Sequence, residues 1–105
     1  VIESRKRVDL VLYSYDVLAT HEELLTTVIR AESGIRGFML TRDSSFLGAY
    51  DYAKQNHDSL LARLASLSTH DSGQLKLVND SIVPYVRYKI EQLGIVASIA
   101  YHEGN

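Results

Sequence analysis

The residue types that could do chemistry are four histidines, a set of carboxylates and seven tyrosines; cysteine is absent, which removes thiolate nucleophiles and thiolate metal sites together. His57, in "NHDSLLARL", falls on an apolar stripe, and a lone histidine on a helical bundle is the arrangement of a phosphoacceptor. That chemistry needs an exposed imidazole, whereas the period points His57 inward. A core histidine satisfied by its own helix is therefore the first expectation, with a pH-responsive one beside it. His21, His70 and His102 share no face. Bundle metal sites use Glu-x-x-His, with both ligands on one face. Here His21-Glu22 and His102-Glu103 are adjacent pairs that face apart, so no metal site and no cofactor is expected. No nucleophile elbow or Gly-rich phosphate loop accompanies the serines, and no enzyme is expected.

Six tyrosines fall in three clusters: Tyr13 with Tyr15, Tyr50 with Tyr52, and Tyr85 with Tyr88; Tyr101 stands apart. Tyrosine brings packing area and a hydroxyl. Tyr13, Tyr50 and Tyr85, with His57, are the candidates to line a ligand pocket; amphipathic boundary packing is the plainer alternative. Arg5, Lys6 and Arg7 form a short basic cluster at one end of a chain whose formal net charge is -2. Such a cluster fits a membrane-proximal turn better than a nucleic-acid surface.

The stretch "AESGIRGFMLTRD", residues 31–43, puts Glu32 four residues before Arg36 and sets Gly34 and Gly37 inside a helical pattern. Glycine in a helix interior costs roughly 0.5–1 kcal/mol relative to alanine, so two of them call for a reason. One reason is close approach of a neighbouring backbone. Acid before base at i, i+4 is the favourable order on a helix. Together these residues suggest a latch at a helix turn, with Thr41 or Asp43 capping the second helix. A solvated surface pair with two tolerated glycines is the alternative.

Three helical blocks must position these residues. The first spans about 2–40, with heptad positions Val8, Val11, Tyr15, Leu18, Glu22, Leu25, Ile29, Glu32, Arg36 and Met39. A second stripe lies beside it: Leu10, Val17, Leu24, Ala31 and Phe38, with Val28 and Ile35. The apolar surface is wider than one partner helix needs. The second block, 44–68, repeats Phe46, Tyr50, Ala53, His57, Leu60, Leu64 and Leu67. Asp71 with Gln74 resembles a capping box opening the third block, 71–102, in which Pro84 should kink the helix. The expected fold is all-α, an antiparallel up-and-down bundle of three long helices in a single domain, 1–105. No run of apolar residues is long enough to span a membrane.

The stretch "AESGIRGFMLTRDSSFLGAY" resembles the signature of the CHASE3 family of extracytoplasmic sensory domains. Ala31, Glu32, Arg36, Gly37, Phe38, Leu40, Thr41, Asp43, Phe46, Leu47 and Tyr50 match its pattern; Arg42 stands where the family usually has Gly. The resemblance implies the periplasmic helical-bundle ectodomain of an inner-membrane receptor, commonly a sensor histidine kinase, tethered to the membrane in the full-length protein. It also implies a bundle of four helices, the last of them missing here unless a break at Pro84 divides the third block into two. A homodimer through the first helix and the uncovered groove would follow, with an unknown small-molecule or protein stimulus. The alternative from another class is a soluble phosphotransfer or adaptor bundle with His57 as phosphoacceptor.

Overall fold

The computed structural model describes residues 2–103, with side chains from Tyr15 to His102; the expected roles of Val8, Val11 and Tyr13 lie outside the described side chains. Helix α1 runs Ile2–Thr41, a 3₁₀ turn covers Ser44–Leu47, and α2 runs Gly48–Leu67. The third block is α3 (Ser72–Leu77), a π turn (Val78–Ile82) and α4 (Val83–Glu103) in direct succession. The architecture is the expected all-α, three-rod bundle with a bend in the third rod.

α2 packs antiparallel to α1, with Glu23 facing Arg63 at one end and Gly34 facing Phe46 at the other. The third rod returns, so α1 and α4 run parallel: Glu32 meets Lys89, and Phe38 stacks on Tyr101 with ring centroids 6.4 Å apart.

Which face of α1 turns inward is the informative result. The core takes the second stripe: Leu24, Val28, Ala31, Ile35 and Phe38 are all buried. Against them lie Ala53, Leu60, Leu61 and Leu64 of α2, and Val78, Val86 and Ile90 of the third rod. Ala31 and Ala53 are both fully buried, and their small side chains let the helices close in. The heptad stripe stays outside: Tyr15, Leu18, Leu25, Ile29 and Met39 are exposed.

The connection from α2 to the third rod is capped on both sides. Ser68 donates through Oγ to the Leu64 carbonyl, and Asp71 Oδ1 accepts from the Gln74 N–H at 3.0 Å. The capping box is half of one, because the Gln74 side chain donates to Ser68 Oγ instead of turning back to Asp71.

Pro84 does not break the third rod. It has no N–H, and its ring crowds the carbonyl of the residue four before it, Asp80. The backbone widens by one residue just upstream, and the Val83 N–H reaches back five residues to the Val78 carbonyl. The expected kink is this π turn.

Candidate functional site

The sequence-predicted residues gather at the pole where α1 turns into α2, and geometry sets the role of each. At Gly34 the Phe46 carbonyl comes so close that a side-chain carbon would collide with backbone. At Gly37 the Phe46 ring occupies the space a Cβ would take, with Cδ1 at 2.6 Å from that position. Both glycines thus serve close approach, as their placement inside a helix suggests.

Thr41 ends α1. Its hydroxyl donates to the Gly37 carbonyl at 2.7 Å and accepts from the Asp43 N–H at 3.1 Å. Asp43 caps the 3₁₀ turn, its Oδ1 accepting from the Ser45 N–H at 3.0 Å. That backbone bond, with the Ser45 hydroxyl, holds the Asp43 carboxyl below the usual carboxylate range.

Arg42, between them, has φ 62, in the left-handed region that a Cβ makes costly. Its N–H bonds the Phe38 carbonyl at 2.7 Å, the hydrogen bond of a left-handed helix C-cap. Glycine is the residue this conformation favours. The arginine side chain offsets part of that strain, because Nη1 donates to the Ala100 carbonyl near the end of α4. The guanidinium that reaches a helix-end carbonyl at this pole is that of Arg42.

Glu32 and Arg36 separate. Glu32 is half-buried and pairs with Lys89 of α4, Nζ to Oε1 at 2.7 Å, while the Arg36 side chain is exposed. The hydrogen bond and charge of Glu32 raise Lys89 above the ordinary lysine value. Sequence spacing pointed to Arg36 as the partner of Glu32; the cross-helix partner Lys89 was hidden, since nothing in the pattern brings residue 89 beside residue 32.

The ligand candidates among the described side chains, Tyr50, His57 and Tyr85, have separate surroundings. Tyr50 is half-buried, and its hydroxyl lies where a Cβ on Gly94 would stand. Tyr85 is exposed, on the wall of a separate groove between α1 and the third rod. His57 has a side chain only 13% exposed. Its Nδ1 lies 2.9 Å from the Ala53 carbonyl one turn back and Nε2 3.6 Å from Asp58 Oδ1, so the ring is held within its own helix.

The α1–third rod groove encloses about 580 Å³. Leu24, Val28 and Val86 form its floor, Leu25, Ile29 and Tyr85 its walls, and the Glu32–Lys89 pair and His21 its polar positions. Ser81 and Ile82 of the π turn line it too. Further along, Met39, Val96 and Ile99 continue an apolar surface towards the pole. Among the described residues no group of three or more histidine, aspartate or glutamate side chains could hold a metal ion, and no helix is long and apolar enough to cross a membrane.

No curated protein and no solved structure matches this chain. The family model of the CHASE3 domain matches residues 8–92, which include α1 from its second turn, the whole Gly34–Asp43 turn and most of the third rod. The chain belongs to the CHASE3 domain family, a family of sensory domains.

Proposed function

We propose that this domain is the extracytoplasmic sensor and relay module of a bacterial two-component sensor histidine kinase, held at the inner membrane and facing the periplasm. It binds or registers a stimulus and passes it on by repacking long helices; catalysis belongs to the parent protein. The observation that carries the relay is the weld at the pole. Gly34 and Gly37 seat Phe46 against α1, Arg42 reaches the end of α4, and Phe38 stacks on Tyr101. α1, α2 and α4 are thereby tied at one end, so a displacement of one is transmitted to the others as a body rather than lost in a loop. A homodimer coupled through α1 belongs to the same reading.

Phosphotransfer through His57 is the second reading, and the site favours it less. An imidazole 13% exposed, with Nδ1 against its own helix, offers an incoming phosphoryl group little access. Autophosphorylation of the parent polypeptide in membranes separates the two. Under the relay, Gly34→Val changes kinase output at an equal inserted level and His57→Gln does not. Unchanged output with Gly34→Val sinks the relay, and acid-labile label on His57 supports phosphotransfer.

A further inference from the structure

A second groove, of about 540 Å³, runs between α1 and α2, and no residue of the third rod lines it. Its chemistry differs from that of the groove to the third rod. Only Ala19, Ala49 and the Tyr52 ring give it apolar surface, and it holds no large aliphatic side chain such as Leu25 or Ile29. A docking helix, or a second copy of this chain, needs large apolar side chains to bury against. A small charged molecule does not, and the volume falls in the range of small-molecule sites.

The charges in this groove are sorted by position. Glu22 and Glu23 stand at one end and Arg30 at the other. Glu23 faces Arg63 of α2 at 3.6 Å, whereas neither Glu22 nor Arg30 makes an ion pair among the described residues. One carboxylate and one guanidinium are thus left for a ligand. Ala49 and Tyr52 belong to the first turns of α2, so the positive end of that helix adds to the field at the Arg30 end. Hydroxyls lie between the two ends. Thr26 sits four residues from Glu22 and four from Arg30, on the same groove. Thr27 donates its hydroxyl proton to the Glu23 carbonyl at 2.7 Å and keeps lone pairs that can accept an N–H.

The spacing selects a length. Glu22 and Arg30 are eight residues apart, about 12 Å along the helix. A ligand that reaches both along the groove carries its charges about 10 Å apart. An extended chain of three residues spans roughly 10 Å between its terminal ammonium and carboxylate, and one of two residues roughly 7 Å.

We propose that the α1–α2 groove binds a zwitterionic peptide about three residues long, its ammonium at Glu22, its carboxylate at Arg30 and its amides against Thr26 and Thr27. This rests on the sensor reading and deepens it, because it gives the stimulus a chemical class. Glu22 and Arg30 are exposed, so binding is selective rather than tight, and each terminal charge is worth about fivefold in affinity.

Backbone amide shifts of the isotope-labelled chain, titrated with trialanine, test this. Trialanine is expected to shift residues 22–30 and 49–52 saturably, and dialanine to bind more weakly. N-acetyl-trialanine lacks the ammonium and trialanine amide lacks the carboxylate, and each should bind about fivefold more weakly than trialanine. Glu22→Gln should erase the penalty for acetylation and keep that for amidation; Arg30→Gln should do the reverse. Circular dichroism checks that both variants are folded. No saturable shift, shifts confined to the groove to the third rod, or capped peptides that bind as well as trialanine overturn the proposal. Cap penalties that ignore both substitutions overturn it too. So does movement of the same amides on dilution of the chain alone, since a second copy would then fill the groove. None of these readouts involves a kinase, so the site can fail while the sensor reading stands.

Discussion

Lys89 reaches Glu32 across the bundle at 2.7 Å, and this single contact ties the glutamate of the turn sequence to the third rod. Glu32 raises the lysine's pKa in the folded state, so the pair stabilises the fold fully below the ordinary lysine value. That contribution disappears as pH rises through the raised value, where the folded protein too loses the proton. Lys89→Gln is accordingly expected to melt below the native protein at pH 7 and to converge on it as pH rises past the raised lysine value. Thermal melts of both proteins from pH 7 up through that value check this. A gap that does not close would mean that Lys89 acts through its aliphatic stem.

The two kinds of glycine in this chain should respond oppositely to alanine. Gly34→Ala drives a methyl into the Phe46 carbonyl, and backbone cannot move aside as a side chain can. A loss of about 1–3 kcal/mol is expected, the usual cost of overpacking. Gly48 is helical with open space around it, so Gly48→Ala should add about 0.5–1 kcal/mol. Denaturant midpoints for the two variants should move in opposite directions. Equal shifts would remove the steric account of the turn.

Arg42 offers a direct measure of backbone strain. Arg42→Ala keeps a Cβ at φ 62 and loses the bond to the Ala100 carbonyl, whereas Arg42→Gly loses the bond and relieves the strain. The glycine variant should therefore be more stable than the alanine variant by about 1 kcal/mol. Urea unfolding of the three proteins gives the order. An alanine variant equal to glycine would mean that the turn relaxes out of the left-handed region.

Thr20 is fully buried on α1, and its hydroxyl has no hydrogen-bond partner among the described residues. Valine has the same shape without the polar group. Thr20→Val should leave the fold intact and raise stability by up to about 1–2 kcal/mol, since a desolvated hydroxyl with no partner is a net cost. A lower melting temperature would reveal a partner that the native state provides.

The three rods and the Asp71 cap were legible in the sequence, because each rests on local spacing. The inward face of α1 was not. Both of its stripes are apolar, and the face that α2 approaches is the one carrying the small, fully buried Ala31, opposite Ala53. The Glu32–Lys89 pair was out of reach for the same reason, since residues 57 apart meet only after the bundle closes. The π turn, by contrast, left a trace that could have been read. Val78, Ile82, Val86 and Ile90 succeed one another at three four-residue steps, where a helical seam alternates threes and fours. One extra residue per seam is what a π turn inserts.

That trace also bears on what holds the π turn, Pro84 or the packing around it. With Pro84→Ala the chain regains an N–H at position 84, and a regular α-helix through Asp80 becomes possible. The straight form would gain one backbone hydrogen bond, a net of about 0.5–1.5 kcal/mol. It would also rotate the residues before the bend by roughly 100°, the angle of one residue on a helix. Val78, 1% exposed, would leave the core, and Leu75 would turn with it. Exposing the buried valine alone costs about 1.5–3 kcal/mol, so packing outweighs the regained bond. Pro84→Ala is thus expected to keep the π turn, with the Val83 amide still bonded to the Val78 carbonyl. Backbone chemical shifts and amide exchange at Val83 read this directly. A straightened helix in the variant would show instead that the proline sets the bend and that the four-residue spacing is only its consequence.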